Sequence, residues 1–94
     1  MATSILAIGT GAGTSSNVTV TAGTPVTVGL FITGGGTIPQ VERVLCDIQD
    51  PNAVWTQTQV YLDAMNPTVV LIGPGVYRFR RVAAETVSVG VMTG

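Results

Sequence analysis

Apolar and polar residues alternate with a period of two along much of the chain. The clearest run is Val26–Ile32, in which valine, leucine and isoleucine occupy every second position and Thr27 lies between two valines. This alternation is typical of an antiparallel strand with one face in the core and the other towards solvent. The same criterion gives eight candidate strands: Ser4–Ile8, Asn17–Thr21, Val26–Ile32, Glu42–Ile48, Val54–Leu62, Thr68–Ile72, Val76–Val82 and Thr86–Val91. Short strands at near-regular spacing predict a β-sandwich or a β-barrel.

Glycine, proline and asparagine stand between the candidate strands, where they favour turns. Examples are Gly34-Gly35-Gly36, Asp50-Pro51-Asn52 and Asn66-Pro67. Valine, threonine and glycine also dominate the composition, which favours strands over helices. We therefore predict an all-β fold, an antiparallel β-sandwich of seven to eight strands. An Ig-like topology is expected, with a jelly roll as the alternative.

The N-terminal part contains the glycine-rich stretch Gly9-Thr10-Gly11-Ala12-Gly13. A dinucleotide-binding turn would need its last glycine at the position of Thr14, and a helix would have to follow it. Another run rich in valine and threonine follows instead. We therefore predict that residues 1–16 form a flexible or interlocking arm with a short strand. Residues 17–94 are expected to form a single β-sandwich domain.

Charge is scarce in this chain. Charged residues make up 10% of the 94 residues, and the formal net charge is −1. An ordinary domain has about 25% charged residues, and a nearly neutral chain tends to associate, so we expect a homo-oligomer. The sequence has neither the basic patch of a nucleic-acid-binding protein nor the long apolar run of a membrane span, so neither partner is expected. Its N-terminus lacks the basic start of a secretory signal, which favours synthesis in the cytoplasm.

Few side chains could carry out chemistry. The chain has no histidine, and its one cysteine, Cys46, lies in an apolar run where a buried and inert thiol is expected. Asp47, the next residue of that strand candidate, has the opposite parity and is expected to point outwards. The five carboxylates lack the spacing of a glycosidase pair or of a calcium loop. Asp50, which precedes Pro51, is expected to be a turn residue whose carboxylate caps its own backbone, and not a metal ligand. We therefore predict no catalytic, cofactor-binding or metal-binding residue, and no enzyme activity.

The segment Leu71–Arg81 carries a motif typical of a fold corner. Gly73, Pro74 and Gly75 precede Tyr77. In Ig-type sandwiches a tyrosine in this position turns its hydroxyl back to bond the chain a few residues upstream. The two glycines are expected to permit positive φ on either side of the proline. The prediction is a corner formed by these four residues.

Three of the four basic residues follow this corner. Strand parity directs Tyr77 and Phe79 into the core. The same parity directs Arg78 and Arg80 outwards, to solvent or to a partner. Arg81 breaks the alternation and is expected at the strand end or in a bulge. Arg78 and Arg80 could pair with acids across the sheet or dock on carboxylates of another subunit, and both alternatives stay open.

Trp55 and Tyr61 share one face of the run Val54–Leu62, whose other face is also apolar. An exposed aromatic pair could stack on sugars, whereas a covered pair would fill the core or a subunit interface. Trp55 and Tyr61, with Arg78 and Arg80, are therefore the candidate residues for contact with a partner.

A small chain rich in valine, threonine and glycine, without lysine or histidine, resembles the small virion proteins of tailed bacteriophages. The threonine- and glycine-rich N-terminal stretch and the late run L-x-G-P-G-x-Y-R carry this resemblance, which is to capsid decoration or cement proteins. It implies a non-enzymatic structural protein of the virion that contacts the major capsid protein or other virion subunits. It carries over no site residues. The alternative is a carbohydrate-binding or host-binding β-sandwich module of a fibre or tail.

Overall fold

A computed structural model of the chain describes residues 2–38, 43–81 and 88–94. These residues form nine strands: β1 (Thr3–Gly9), β2 (Gly13–Thr14), β3 (Val18–Val20), β4 (Val26–Phe31), β5 (Val44–Gln49), β6 (Trp55–Leu62), β7 (Thr68–Leu71), β8 (Gly75–Arg81) and β9 (Val89–Thr93). All strand pairs are antiparallel, and the strands belong to two sheets packed on one core. The predicted antiparallel β-sandwich is therefore confirmed. No helix in the described ranges is long and apolar enough to span a membrane.

The strand order decides between the two topologies that the sequence left open. One sheet has the order β1-β9-β4-β7, and the other has the order β2-β8-β5-β6, with β3 also paired to β8. Because β2 and β3 pair with opposite ends of β8, they act as one interrupted edge strand, which reduces the count to eight. The first strand then pairs with the last, and the second with the second to last. This is the order of a jelly roll, whereas an Ig sandwich pairs its first two strands with each other. The sandwich therefore has the alternative topology, the jelly roll, in place of the expected Ig-like one.

The N-terminal segment is part of the sandwich. β1 pairs with β9, and β2 pairs with the end of β8, so residues 3–14 contribute to both sheets instead of forming an arm. Ser15 fixes the connection, because its backbone N–H donates to the carbonyl of Phe79 and its hydroxyl accepts the Phe79 N–H. Without this segment β9 would expose an unpaired edge, and β8 would keep only its pairing with β3 on that side, which is unfavourable for backbone polar groups.

The core lies between the two sheets and takes apolar side chains from every strand except β2. Its buried members are Leu6, Val18, Val20, Val28, Leu30, Val44, Cys46, Leu62, Leu71, Phe79, Val89 and Val91. Phe79 is the largest fully buried side chain, so its predicted inward position is confirmed. Predicted strand residues Glu42, Val82, Thr86 and Val87 lie outside the described residues. In β6 only Leu62 is buried, while Val60 and the preceding Val54 are exposed.

The corner predicted before β8 is present. The Tyr77 hydroxyl donates to the carbonyl oxygen of Ile72 at 3.0 Å, and the Gly73-Pro74 bond is cis. Neither Gly73 nor Gly75 has positive φ, so that part of the prediction is wrong. The glycines are required for space instead. A Cβ on Gly73 would collide with the carbonyl of Val20, and one on Gly75 would lie 3.1 Å from the Tyr77 ring.

Tyr77→Phe is expected to lower the free energy of unfolding by about 1 kcal/mol, because the Ile72 carbonyl loses its hydrogen bond. Urea denaturation measures the change. Tyr61→Phe is the matched control, since the Tyr61 ring makes its contact through its face and not through a corner bond. Equal stability of the two variants would show that the corner hydrogen bond contributes nothing.

Candidate functional site

The outer face of the five-stranded sheet collects all four predicted contact residues. β8 pairs with β5, and β5 pairs with β6, so side chains of the same parity on these strands are neighbours. We call this surface the arginine face and define it by Arg43, Asp47, Trp55, Tyr61, Arg78 and Arg80. The outward positions predicted for Arg78 and Arg80 are confirmed.

Asp47 lies at the centre of the arginine face and is held by two arginines. Arg78 Nε donates to Asp47 Oδ2 at 2.9 Å, and Arg80 Nε donates to the same oxygen at 2.6 Å. Arg80 Nη2 also donates to Asp47 Oδ1 at 3.1 Å and to Gln57 Oε1 at 3.3 Å. The side chain of Asp47 is only 3% exposed, against 27% for Arg78 and 34% for Arg80. The two guanidinium groups therefore cover the carboxylate.

The charges of this cluster determine how Asp47 titrates. Burial by itself would raise the pKa of the Asp47 carboxyl, since it disfavours the charged form. Hydrogen bonds from Arg80 and Arg78, together with their positive charges, outweigh burial and hold the pKa below its ordinary value. Asp47 is thus ionised at neutral pH, and two positive charges surround one negative charge.

The two aromatic rings of the arginine face each have a guanidinium stacked on them. The Cζ atom of Arg78 lies 4.4 Å from the centre of the Trp55 ring, and that of Arg43 lies 4.3 Å from the centre of the Tyr61 ring. Both rings are half-buried. A sugar-stacking platform needs a free ring face, and the stacked arginines occupy one face of each ring.

Sequence reasoning found Arg78, Arg80, Trp55 and Tyr61 but missed the residue that organises them. Asp47 was expected to point outwards, and it does, yet the arginines bury it. The acid across the sheet, one of the two alternatives for Arg78 and Arg80, is therefore present. Whether the arginine face also contacts another subunit stays a prediction.

Arg81 forms a second polar centre, on the inner side of β8. It ends the strand, as predicted, and it is only 9% exposed. Its Nε donates to the carbonyl of Gly11 at 2.6 Å. Its Nη1 donates to the carbonyls of Ala7 and Val89, both at 2.7 Å. Arg81 therefore ties the N-terminal segment to β9.

The glycine-rich stretch surrounds this guanidinium. A Cβ on Gly9 would lie 2.9 Å from Arg81 Nη2, and one on Gly13 would lie 3.3 Å from it. The missing side chains leave the space that the guanidinium occupies. The stretch is thus a packing feature around Arg81.

The other reactive groups of the described residues are used by the fold. The Asp50 carboxylate accepts the backbone N–H groups of Asn52 and Val54, which confirms its predicted turn role. The Asp63 carboxylate does the same in the next turn, for the N–H groups of Met65 and Asn66. Cys46 is fully buried, and burial raises the pKa of its thiol, so the expected inert cysteine agrees with its position. No group of three potential metal ligands occurs within residues 2–38, 43–81 and 88–94.

The outer face of the four-stranded sheet differs in character. Strands β1, β4, β7 and β9 contain no charged residue. Val70, in β7, is 58% exposed, and Ile72, just after it, is 71% exposed. A shallow cavity of about 150 Å³ next to β7 is lined mainly by Thr27, Gly29, Thr68 and Met92. We call this surface the charge-free face.

Models of known protein families give no match to this chain, and neither do curated proteins or solved structures. Its function is therefore inferred from the chemistry of the arginine face and the charge-free face.

Proposed function

We propose that this chain is a non-enzymatic structural protein of a phage particle, which decorates or cements the capsid through subunit contacts. Its partners would be the major capsid protein or other virion subunits, and it would act as a homo-oligomer located in the virion. The observation that carries the proposal is the charge-free face, with Val70 and Ile72 more than half exposed.

The composition of the charge-free face favours contact with another protein. The centres of protein interfaces are depleted in charged residues, and contiguous apolar surface on a small domain marks a site of association. Four strands without a charged residue can be covered by a neighbour without burying an unpaired ion. The free energy gained by such coverage would add to the stability of the shell.

The use of the acidic groups also favours a structural role. Asp47 forms ion pairs with two arginines, while Asp50 and Asp63 cap turns. A carboxylate committed in this way is not available as a general acid or base. The jelly-roll architecture agrees with the proposal only by analogy, since both capsid and lectin domains use it.

A carbohydrate-binding or host-binding module of a fibre or tail is the second candidate. The observation in its favour is that Trp55 and Tyr61 lie on the same outer face of β6. The guanidinium groups stacked on both rings reduce the ring surface that a sugar could use, so the structural role is favoured.

The proposal predicts that the protein bands with capsids and that Ile72→Lys weakens this attachment by about tenfold or more, because a lysine would be buried without a partner. The experiment uses particles of a phage that lacks the gene for this protein. Purified protein is added to these particles, and a density gradient separates bound from free protein. Asn52→Lys, in an exposed turn away from both faces, is the control for the added charge.

Wild-type protein that stays free of the particles would overturn the proposal. Equal attachment of Ile72→Lys and Asn52→Lys would show that the charge-free face is not the surface that attaches to the particle. A saturable change of Trp55 fluorescence with an oligosaccharide, in protein that does not bind particles, would favour the second candidate.

A further inference from the structure

We infer that the arginine face is a half-filled socket for a carboxylate, and that an acidic segment of a neighbouring protein subunit fills it. This inference rests on the proposed structural function, for which a cementing protein needs a second contact surface besides the charge-free face.

Arg78 and Arg80 carry N–H donors that have no acceptor among the described residues. A guanidinium group carries five N–H donors. Arg78 uses only its Nε towards Asp47, and within the described residues its two terminal nitrogens have no hydrogen-bond acceptor. Arg80 uses Nε and Nη2, and its Nη1 likewise has no acceptor there. Both side chains are about one-third exposed, so these donors are accessible from outside.

The arginine face is positively charged. Among the described residues of this face, three arginines, Arg43, Arg78 and Arg80, accompany one carboxylate, Asp47, so these four residues together carry a net charge of +2. The chain as a whole has a net charge of −1. The positive charge is therefore concentrated on one side of the sandwich, and a neighbour with acidic groups would be complementary to it.

The guanidinium groups of Arg78 and Arg80 are held in place by their neighbours. Arg78 is fixed between Asp47 and the Trp55 ring, and Arg80 is fixed between Asp47 and Gln57. Binding an external carboxylate would therefore cost less side-chain entropy than it does for free arginines. A planar carboxylate also matches the fork of a guanidinium better than other acceptors do.

The choice of a protein carboxylate over nucleic acid follows from the same groups. Single-stranded nucleic acid is bound by exposed aromatic rings on which bases stack, along a basic groove. Here arginines cover one face of both rings, and the net negative charge of the chain opposes a long polyanion. An acidic segment needs only the few accessible donors of Arg78 and Arg80.

The test titrates the full chain with a hexa-aspartate peptide and follows the arginine Nε–H signals by NMR. The signals of Arg78 and Arg80 are expected to shift saturably, while that of the buried Arg81 stays in place and serves as an internal control. A hexa-asparagine peptide should produce no shift. Shifts that are equal for both peptides, or that include Arg81 to the same extent, would overturn the inference.

Affinities measured by calorimetry distinguish the socket from general attraction between charges. Arg78→Gln is expected to weaken binding of the acidic peptide by about tenfold, because charge-assisted hydrogen bonds are lost in addition to one charge. Asp47 keeps Arg80 as a partner in this variant, so the fold should persist. Arg43→Gln removes the same charge outside the cluster and should weaken binding less.

Equal losses of peptide affinity in Arg78→Gln and Arg43→Gln would overturn the inference. Tighter binding of a short oligonucleotide than of the acidic peptide would also overturn it. Failure of the inference and failure of the proposed function are separable. Protein that binds the peptide but not particles contradicts the capsid role alone. Protein that bands with particles but does not bind the acidic peptide contradicts only the inference about the arginine face.

Discussion

Arg81→Met is expected to lower the free energy of unfolding by about 2–4 kcal/mol, because three backbone carbonyls lose their hydrogen bonds to a charged donor. Methionine fills a similar volume but donates no hydrogen bond. The carbonyls of Ala7, Gly11 and Val89 would then lose a charged donor in a site that is largely closed to water. Urea denaturation measures the global loss.

A local readout accompanies this prediction. Amide hydrogen exchange in residues 3–14 should become faster, since Arg81 ties this segment to the rest of the sandwich. Gly9→Ala should act in the same direction, because its methyl group would lie 2.9 Å from Arg81 Nη2. Arg43→Met is the matched control, as it removes an equal charge from an exposed position. Unchanged stability and unchanged hydrogen exchange in Arg81→Met would show that the hydrogen bonds of Arg81 do not stabilise the fold.

Asp47→Asn is expected to lower the free energy of unfolding by about 2–3 kcal/mol at neutral pH. The charge-assisted hydrogen bonds from the two arginines would be replaced by contacts to a neutral amide. The pKa of Asp47 is lowered in the folded protein, chiefly because hydrogen bonds from Arg80 and Arg78 outweigh its burial. Its contribution is therefore present above the ordinary aspartate pKa of about 3.9 and is lost as the pH falls through the lower, folded pKa.

The difference between the wild type and Asp47→Asn should accordingly shrink as the pH is lowered below about 4. Denaturation curves at a series of pH values measure it. Asp63→Asn is the control, because asparagine can keep the exposed turn contacts that this aspartate makes. If the stability difference between the wild type and Asp47→Asn stayed constant down to strongly acidic pH, the ionised Asp47 carboxylate would not be its source.

Most of the fold could be predicted because the alternation records burial directly. The run Val26–Ile32 is an example, since its buried apolar side chains, Val28 and Leu30, occupy the predicted parity. β2 was missed because Gly13 and Thr14 are too few to show any alternation. The jelly-roll order depends on pairings between distant strands, such as β1 with β9, and alternation within a strand contains no information about its neighbour.

The site was predictable only in part for the same reason. Parity placed Arg78, Arg80 and Asp47 on outer faces, but their meeting depends on the register of β5 against β8, in which Asp47 is opposite Arg78. Arg81 was harder still. An arginine next to two others is expected at the surface, and only the glycines at positions 9 and 13 indicate that a guanidinium could be accommodated inside.

The jelly-roll order also affects how the chain can fold during synthesis. Because β1 pairs with β9, the four-stranded sheet cannot close until residues 89–93 have left the ribosome. Folding must therefore wait for contacts between the two ends of the sequence, which slows the search for the native state. Until β9 is available, β1 and β4 each lack this partner, and unpaired strand edges are prone to aggregation.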